Sequence, residues 1–167
     1  MPERAVILIV DDNEADQMFI CRAFTKARVL NLRIPIRTGE EAIEYLRGRG
    51  QYSNRAECPL PDLVLLDLKL SGISGFKVLM WIRQQPELKA LRVVVLSGST
   101  ATEDINLAYQ LGANAVLMKP LDFENFVKVA GLVKVFGVME GYWLWLDEKA
   151  QVLRPGQDVE VEIRKAA

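Results

Sequence analysis

Apolar residues in this chain gather in short runs that alternate with amphipathic stretches. Ala5 to Val10 and Asp62 to Asp67 hold little but Val, Ile and Leu between their ends. Strands buried on both faces of a parallel sheet read this way. Leu91 to Leu96 and Ala115 to Met118 repeat the pattern. Leu32 to Thr38 alternates instead, and Pro35 within it cannot donate to a ladder, which predicts a strand at a sheet edge. Helical spacing fills the gaps. One helix follows an Asn13 cap and runs to about Arg28, with Phe19, Ile20, Ala23 and Ala27 on one face. Others span Glu40 to Arg47, Phe76 to Gln85 before Pro86, a stretch with Ile105, Ala108 and Tyr109 inward that Gly112 closes, and Phe123 to about Phe136 behind Asp122. Residues 48–61 read as a long loop rich in Gly, Pro, Ser and Asn, long enough to serve a partner.

Five strands alternating with five helices predict an α/β fold: a doubly wound, five-stranded parallel sheet with right-handed crossovers. With the second strand at an edge, the order is 2-1-3-4-5. Domain boundaries follow: residues 1–137 form the domain, and 138–167 form a C-terminal extension.

Four of the five strands end in polar residues: Asp11-Asp12, Asp67, Ser97 and Lys119. In a parallel sheet these ends share one edge, with neighbouring strands about 5 Å apart. Three carboxylates, a hydroxyl and an ammonium therefore converge. Three close carboxylates repel, and a hard divalent cation such as Mg²⁺, which takes oxygen ligands, relieves the repulsion. Lys119 and Ser97 can face phosphoryl oxygens, and Asp67 is the central nucleophile, poised to form an acyl phosphate. Singly, each feature has a plainer meaning: Asp-Asp after a strand is more often a cap pair, and Lys-Pro after a strand is usually a turn. Together the plain readings require four coincidences.

Composition narrows the partners. The chain has 167 residues, half of them hydrophobic, and a formal charge of -1, so no basic field calls for nucleic acid. No apolar run reaches membrane-span length, and no signal segment is evident, so a cytoplasmic protein is expected. There is no histidine, which rules out His-based triads and a phosphohistidine of its own. Cys21 and Cys58 lack motif spacing and read as packed or incidental thiols.

The motifs Val10-Asp11-Asp12, Leu66-Asp67, Leu96-Ser97-Gly98 and Met118-Lys119-Pro120 resemble those of two-component response regulator receiver domains, with their flavodoxin-like fold, over roughly residues 4–137. Thr38-Gly39-Glu40-Glu41-Ala42 and the loop from Arg47-Gly48-Arg49-Gly50 to Pro61 are similar to single-domain regulators serving phytochrome kinases. The resemblance implies a phosphorelay in which a sensor histidine kinase, a phytochrome by the second likeness, phosphorylates Asp67. It implies Mg²⁺ bound by Asp12, Asp67 and the Lys69 carbonyl, with Asp11 acting through water. It also implies a cis bond before Pro120 that places Lys119. Lys69 and Ser99 would flank the phosphoryl group and tune its lifetime.

Two departures stand out. Val116 occupies the position of the family's usual aromatic switch, so the signal must be relayed otherwise. Ser71 stands where the family commonly has proline, for which only a local loop change is expected. Rival readings weaken on the residues. A phosphatase of the haloacid-dehalogenase type needs a second acid two residues after its Asp, and Lys69 is there. A nucleotide or flavin binder needs a Gly-rich loop after the first strand. A pseudo-receiver, kept only as a binding module, is the alternative that Val116 sustains.

The last helix carries more apolar residues than one stripe needs. Phe123, Phe126, Val127, Ala130 and Val133 form a core face, while Val129, Leu132 and Phe136 extend it. The excess needs a covering surface: the extension itself is the plain reading, and a homodimer through this helix and the extension, as the resemblance implies, is the favoured one. In the extension, Tyr142-Trp143-Leu144-Trp145-Leu146 is a strongly apolar cluster, and Val159, Val161 and Ile163 alternate as in a strand. Nothing there is long enough for a DNA-binding output domain, so the output is expected to pass through protein contacts or onward phosphotransfer.

Overall fold

The structure, a computed structural model, describes residues 5–29, 31–99, 101–119, 122–136 and 152–153. Strands β1 (Ala5–Val10), β2 (Asn31–Ile36), β3 (Leu63–Asp67), β4 (Arg92–Ser97) and β5 (Ala115–Met118) alternate with helices α1 (Glu14–Lys26), α2 (Gly39–Arg47), α3 (Gly75–Gln84), α4 (Thr102–Gln110) and α5 (Phe123–Phe136). The five strands are parallel in the expected order 2-1-3-4-5. Pro35 sits in the edge strand, opposite Ile9, where its missing N–H breaks no central ladder. One element goes beyond the predicted five. Val152–Leu153 of the extension forms β6, antiparallel to β5 through Val116–Leu153 and Leu117–Val152 pairs. A two-residue strand has too little pattern to be read from sequence. The aromatic cluster at 142–146 and the alternation at 159–163 lie outside the described residues.

Alternate residues of the central strands build two cores. Leu8, Val10, Val64, Leu66, Val93, Val95 and Val116 pack with α2, α3 and α4 on one face. Ile7, Ile9, Leu63, Leu65, Val94, Leu96 and Leu117 pack with α1 and α5 on the other. Covering both faces is what excludes polar residues from the interiors of these strands. The α1–α5 contact is aromatic: the rings of Phe19 and Phe123 meet edge-on at 5.3 Å, and those of Phe24 and Phe126 at 5.9 Å. Val129, expected on the outer extension of the α5 face, is buried against the sheet with Phe126 and Ala130. The core stripe is therefore wider than predicted, since a helix lying along a sheet buries more than one row. The side chains of Leu132, Val133 and Phe136 lie outside the described residues.

The loop at 48–61 is packed, with a 3-10 turn at Gly50–Tyr52. The Arg55 guanidinium donates to the carbonyls of Tyr45, Leu46 and Cys58, and so satisfies the open end of α2. The Tyr45 hydroxyl donates to the Pro59 carbonyl at 2.7 Å. Arg83 of α3 does similar work elsewhere, donating to the carbonyls of Leu91 and Gly112 and joining the start of β4 to the α4–β5 connection. Cys21 and Cys58 are free thiols.

Helix α3 begins hard against the end of β3. The Gly75 N–H donates to the Leu68 carbonyl at 2.9 Å. A Cβ on Gly75 would overlap the Asp67 carbonyl oxygen and crowd the Leu68 Cα, both of them backbone that has no freedom to yield. By contrast, a Cβ on Gly98 meets nothing within 4 Å. Gly75→Ala is therefore expected to lower unfolding free energy by about 1–3 kcal/mol through overpacking. Gly98→Ala should stay within about 0.5 kcal/mol of the parent. Urea denaturation of the two variants checks the contrast, and equal midpoints would refute it.

Candidate functional site

The parallel strands deliver their carboxyl-end residues to one edge of the sheet. β1 leads into Asp11 and Asp12, β3 ends in Asp67, β4 ends in Ser97, and Lys119 follows β5. Asp11, Asp67 and Ser97 are 0%, 6% and 1% exposed, whereas Asp12 is open to solvent. One oxygen from each of Asp11, Asp12 and Asp67 falls within 4.8 Å of the others. The Lys119 ammonium donates to Asp11 Oδ2 at 2.6 Å and to Asp16 Oδ2 at 2.9 Å, and lies 3.3 Å from Asp67 Oδ2. Of the five residues singled out at the strand ends, Asp11, Asp12, Asp67 and Lys119 thus meet through their side chains, and Ser97 joins them through its backbone carbonyl.

Backbone groups hold the pieces in place. The Lys119 N–H donates to the Ser97 carbonyl at 2.7 Å, joining the ends of β5 and β4. Asp67 Oδ1 accepts the Lys69 N–H at 3.2 Å. Asp11 Oδ1 accepts the Asn13 N–H at 2.9 Å, and Asn13 in turn caps α1 by accepting the Asp16 N–H. Ser97 Oγ accepts the Ser99 N–H at 3.1 Å. The Ser99 hydroxyl is committed to α4, donating to Asp104 Oδ2 at 2.7 Å and accepting the Ala101 N–H. Lys69 is exposed at the rim. Val116 is fully buried, and its N–H donates to the Tyr109 hydroxyl of α4 at 3.2 Å. Pro120 lies outside the described residues.

Three contributors escaped the sequence reading. In sequence Asp16 is one of two acids in the first turn of α1, yet from there it reaches Lys119. The amide of Gln17 donates to the carbonyls of Asp11 and Ile36 and fixes the ends of β1 and β2. A buried polar residue among the apolar positions of α1 was the available signal. Ser71 does more than reshape its loop: its hydroxyl donates to Asp12 Oδ2 at 3.0 Å.

Burial raises the Asp67 carboxyl above its usual range. The Lys119 charge opposes that rise, Asp11 adds to it, and the hydrogen bonds from Lys69 and Lys119 oppose it. Lys119 is also raised: burial pulls its ammonium down, but hydrogen bonds to Asp11 and Asp16 and the charge of Asp67 outweigh it. Both partners can rise because the lysine's shortest contacts are to Asp11 and Asp16, which leaves the charge of Asp67 incompletely compensated.

A family model described as the response regulator receiver domain matches residues 7–130. The chain belongs to this family. Among similar proteins, a probable methanogenesis regulatory protein, FilR2, from Methanothrix harundinacea (strain 6Ac) is 37% identical over 142 residues, covering 83% of each chain. Response regulator Rcp1 from Synechocystis sp. (strain ATCC 27184 / PCC 6803 / Kazusa) is 34% identical over 139 residues, covering 83% of this chain and 88% of that one. The crystal structure of Rcp1 in its Mn²⁺-bound form superimposes with a TM-score of 0.69 at 33% identity, over 79% of this chain and 93% of that one. The phosphorylated cyanobacterial phytochrome response regulator RcpA gives a TM-score of 0.72 at 33% identity, over 83% and 99%.

The receiver's acidic trio suits a hard divalent cation by its chemistry alone: three carboxylates, no sulfur or imidazole, and one member open to solvent. Lys119 offsets part of their repulsion and leaves the remainder for a metal ion. In the metal-free protein that remainder has a measurable sign. A carboxyl whose folded pKa lies above its unfolded value costs no stability below the unfolded pKa, about 3.9. The cost appears as pH rises through the folded value and is complete beyond it. With chelator present, Asp67→Asn is therefore expected to be more stable than the parent at pH 7, with the gain vanishing below about pH 4. Mg²⁺ should then stabilise the parent more than the variant. Urea midpoints across pH check this, and a metal-free variant less stable than the parent at pH 7 would contradict it.

Proposed function

We propose that this receiver is a phosphoacceptor in a two-component phosphorelay. Asp67 attacks the phosphohistidine of a sensor kinase; the P–N bond breaks and a P–O bond to the carboxylate forms. The observation that carries this reading is the Lys119 ammonium held 3.3 Å from Asp67 beside two further carboxylates, a pairing of nucleophile and cation that suits a phosphoryl group. Asp11, Asp12, Asp67 and the Lys69 carbonyl would hold Mg²⁺, which supplies positive charge opposite the phosphoryl oxygens. Lys119 steadies one such oxygen and the Ser97 hydroxyl donates to another. With no histidine in its sequence, the chain needs a donor in trans. It acts as a signalling partner, not as an enzyme, and passes the signal by protein contacts or onward phosphotransfer in the cytoplasm.

The kinase is a phytochrome in the finer form of this proposal. Support comes from the likeness to RcpA, a protein described as a phytochrome response regulator and crystallised phosphorylated. The likeness to Rcp1, crystallised with Mn²⁺, supports the metal. A homodimer through α5 and residues 138–167 completes the proposal, two-fold pairing being the commonest closed assembly.

Incubation with a labelled phosphohistidine donor and Mg²⁺ is expected to give stoichiometric incorporation, lost in Asp67→Asn or in chelator. A parent that stays unlabelled beside an active donor would favour the pseudo-receiver reading. Followed in time, the same assay should show label decaying at rates altered several-fold in Lys69→Ala and Ser99→Ala; rates equal to the parent would remove both residues from any tuning role. Sedimentation is expected to give twice the chain mass, and a monomer at high concentration with and without phosphorylation would exclude the dimer.

A further inference from the structure

Ser71 lies in the connection between β3 and α3, four residues beyond Asp67. Its hydroxyl donates to Asp12 Oδ2 at 3.0 Å. The backbone that carries it is braced on both sides. The Gly75 N–H donates to the Leu68 carbonyl at 2.9 Å and closes the loop on itself. The Ile73 N–H donates to Glu40 Oε1 at 2.9 Å and ties the loop to the first turn of α2. Between these anchors Gly72 adopts φ +80°, a conformation that favours glycine, and a Cβ there would run into the Glu40 carboxylate. The hydroxyl is thus presented to Asp12 from a fixed position.

Asp12 needs such a partner more than its neighbours do. Asp11 and Asp67 are buried and each touches the Lys119 ammonium, whereas Asp12 is open to solvent. An exposed carboxylate beside two others turns outward unless something holds it. Ser71 takes one oxygen, Oδ2, and the carboxylate has a second oxygen to offer a cation.

We propose that Ser71 is a positioning residue for the divalent cation: through Asp12 Oδ2 it orients the open carboxylate of the trio for metal binding. The proposal rests on the reading that Asp11, Asp12 and Asp67 take Mg²⁺. A hydrogen-bond donor behind a metal-ligating carboxylate preorganises it and removes an ordering cost from binding, and losing such a partner typically weakens metal affinity by about 10–100-fold. Because Asp12 is solvent-exposed, the lower end, roughly tenfold, applies here.

Calorimetric titration of the full chain with Mg²⁺, and with Mn²⁺ followed by electron paramagnetic resonance, tests this without any phosphoryl donor. Ser71→Ala is expected to weaken both ions by about tenfold. Ser71→Thr, which keeps the hydroxyl, should bind as the parent does. Urea midpoints in chelator should be unchanged in both variants. Parent-like affinity in Ser71→Ala, with binding lost in Asp12→Asn, would overturn the role of Ser71 and leave the metal reading standing. A parent that binds neither ion would overturn both. A lowered metal-free midpoint in Ser71→Ala, with affinity not restored in Ser71→Thr, would reduce Ser71 to a structural residue and overturn the proposal.

Discussion

One ammonium shared among three carboxylates is the interaction on which this receiver's working edge depends. Lys119 is brought to Asp11, Asp16 and Asp67 by three separate segments: the end of β5, the β1–α1 unit and the end of β3. Like charges placed this close in a half-buried pocket are unstable without a counter-charge. Burial raises Asp67, the charge of Lys119 opposes that rise without cancelling it, and Asp11 adds to it, so a single lysine does not balance the acids grouped there. The imbalance is chemically useful. It leaves an electrostatic demand that a hard divalent ion can meet, and it leaves the acceptor carboxylate incompletely neutralised.

The rest of the fold can be understood as scaffolding for that edge. Double-sided burial of β1, β3 and β4 keeps the interiors of the strands apolar. Gly75 lets α3 approach the Asp67 carbonyl more closely than any side chain permits. Gln17 and Asn13 use side-chain hydrogen bonds to fix where β1 stops and α1 begins. Ser97 and Ser99 link the pocket to Asp104 at the start of α4, and Tyr109 near the end of that helix holds the backbone of Val116. Helix α4 is thus tied by hydrogen bonds to the β4 end of the site at its start and to β5 near its end, even though no aromatic side chain occupies position 116.

Much of this is legible in the sequence alone. Apolar runs in Val and Leu fixed the strands, Pro35 placed β2 at the edge, and polar strand ends named Asp11, Asp12, Asp67, Ser97 and Lys119, because period and termination are local properties of sequence. What escaped reading is non-local. Asp16 is indistinguishable from any acid in a first helical turn until the turn is seen facing Lys119. Ser71 was noted for the proline it replaces, but its bond to Asp12 spans 59 positions of chain. Val129 falls beyond a single apolar stripe of α5, yet it is buried because the helix lies along a sheet. Val152 and Leu153 carry two residues of pattern, too few for any periodicity.

The short antiparallel pairing of Val152 and Leu153 with β5 has a consequence for how the sheet meets other chains. A parallel sheet of this type ends in two rows of unmatched amides, each an invitation to templated strand addition and fibril growth. Here the β2 margin is interrupted by an imino acid, and the β5 margin is occupied by the chain's own distal segment. A foreign strand arriving at β5 must displace a tethered competitor, so runaway lateral polymerisation is blunted at both borders of the molecule.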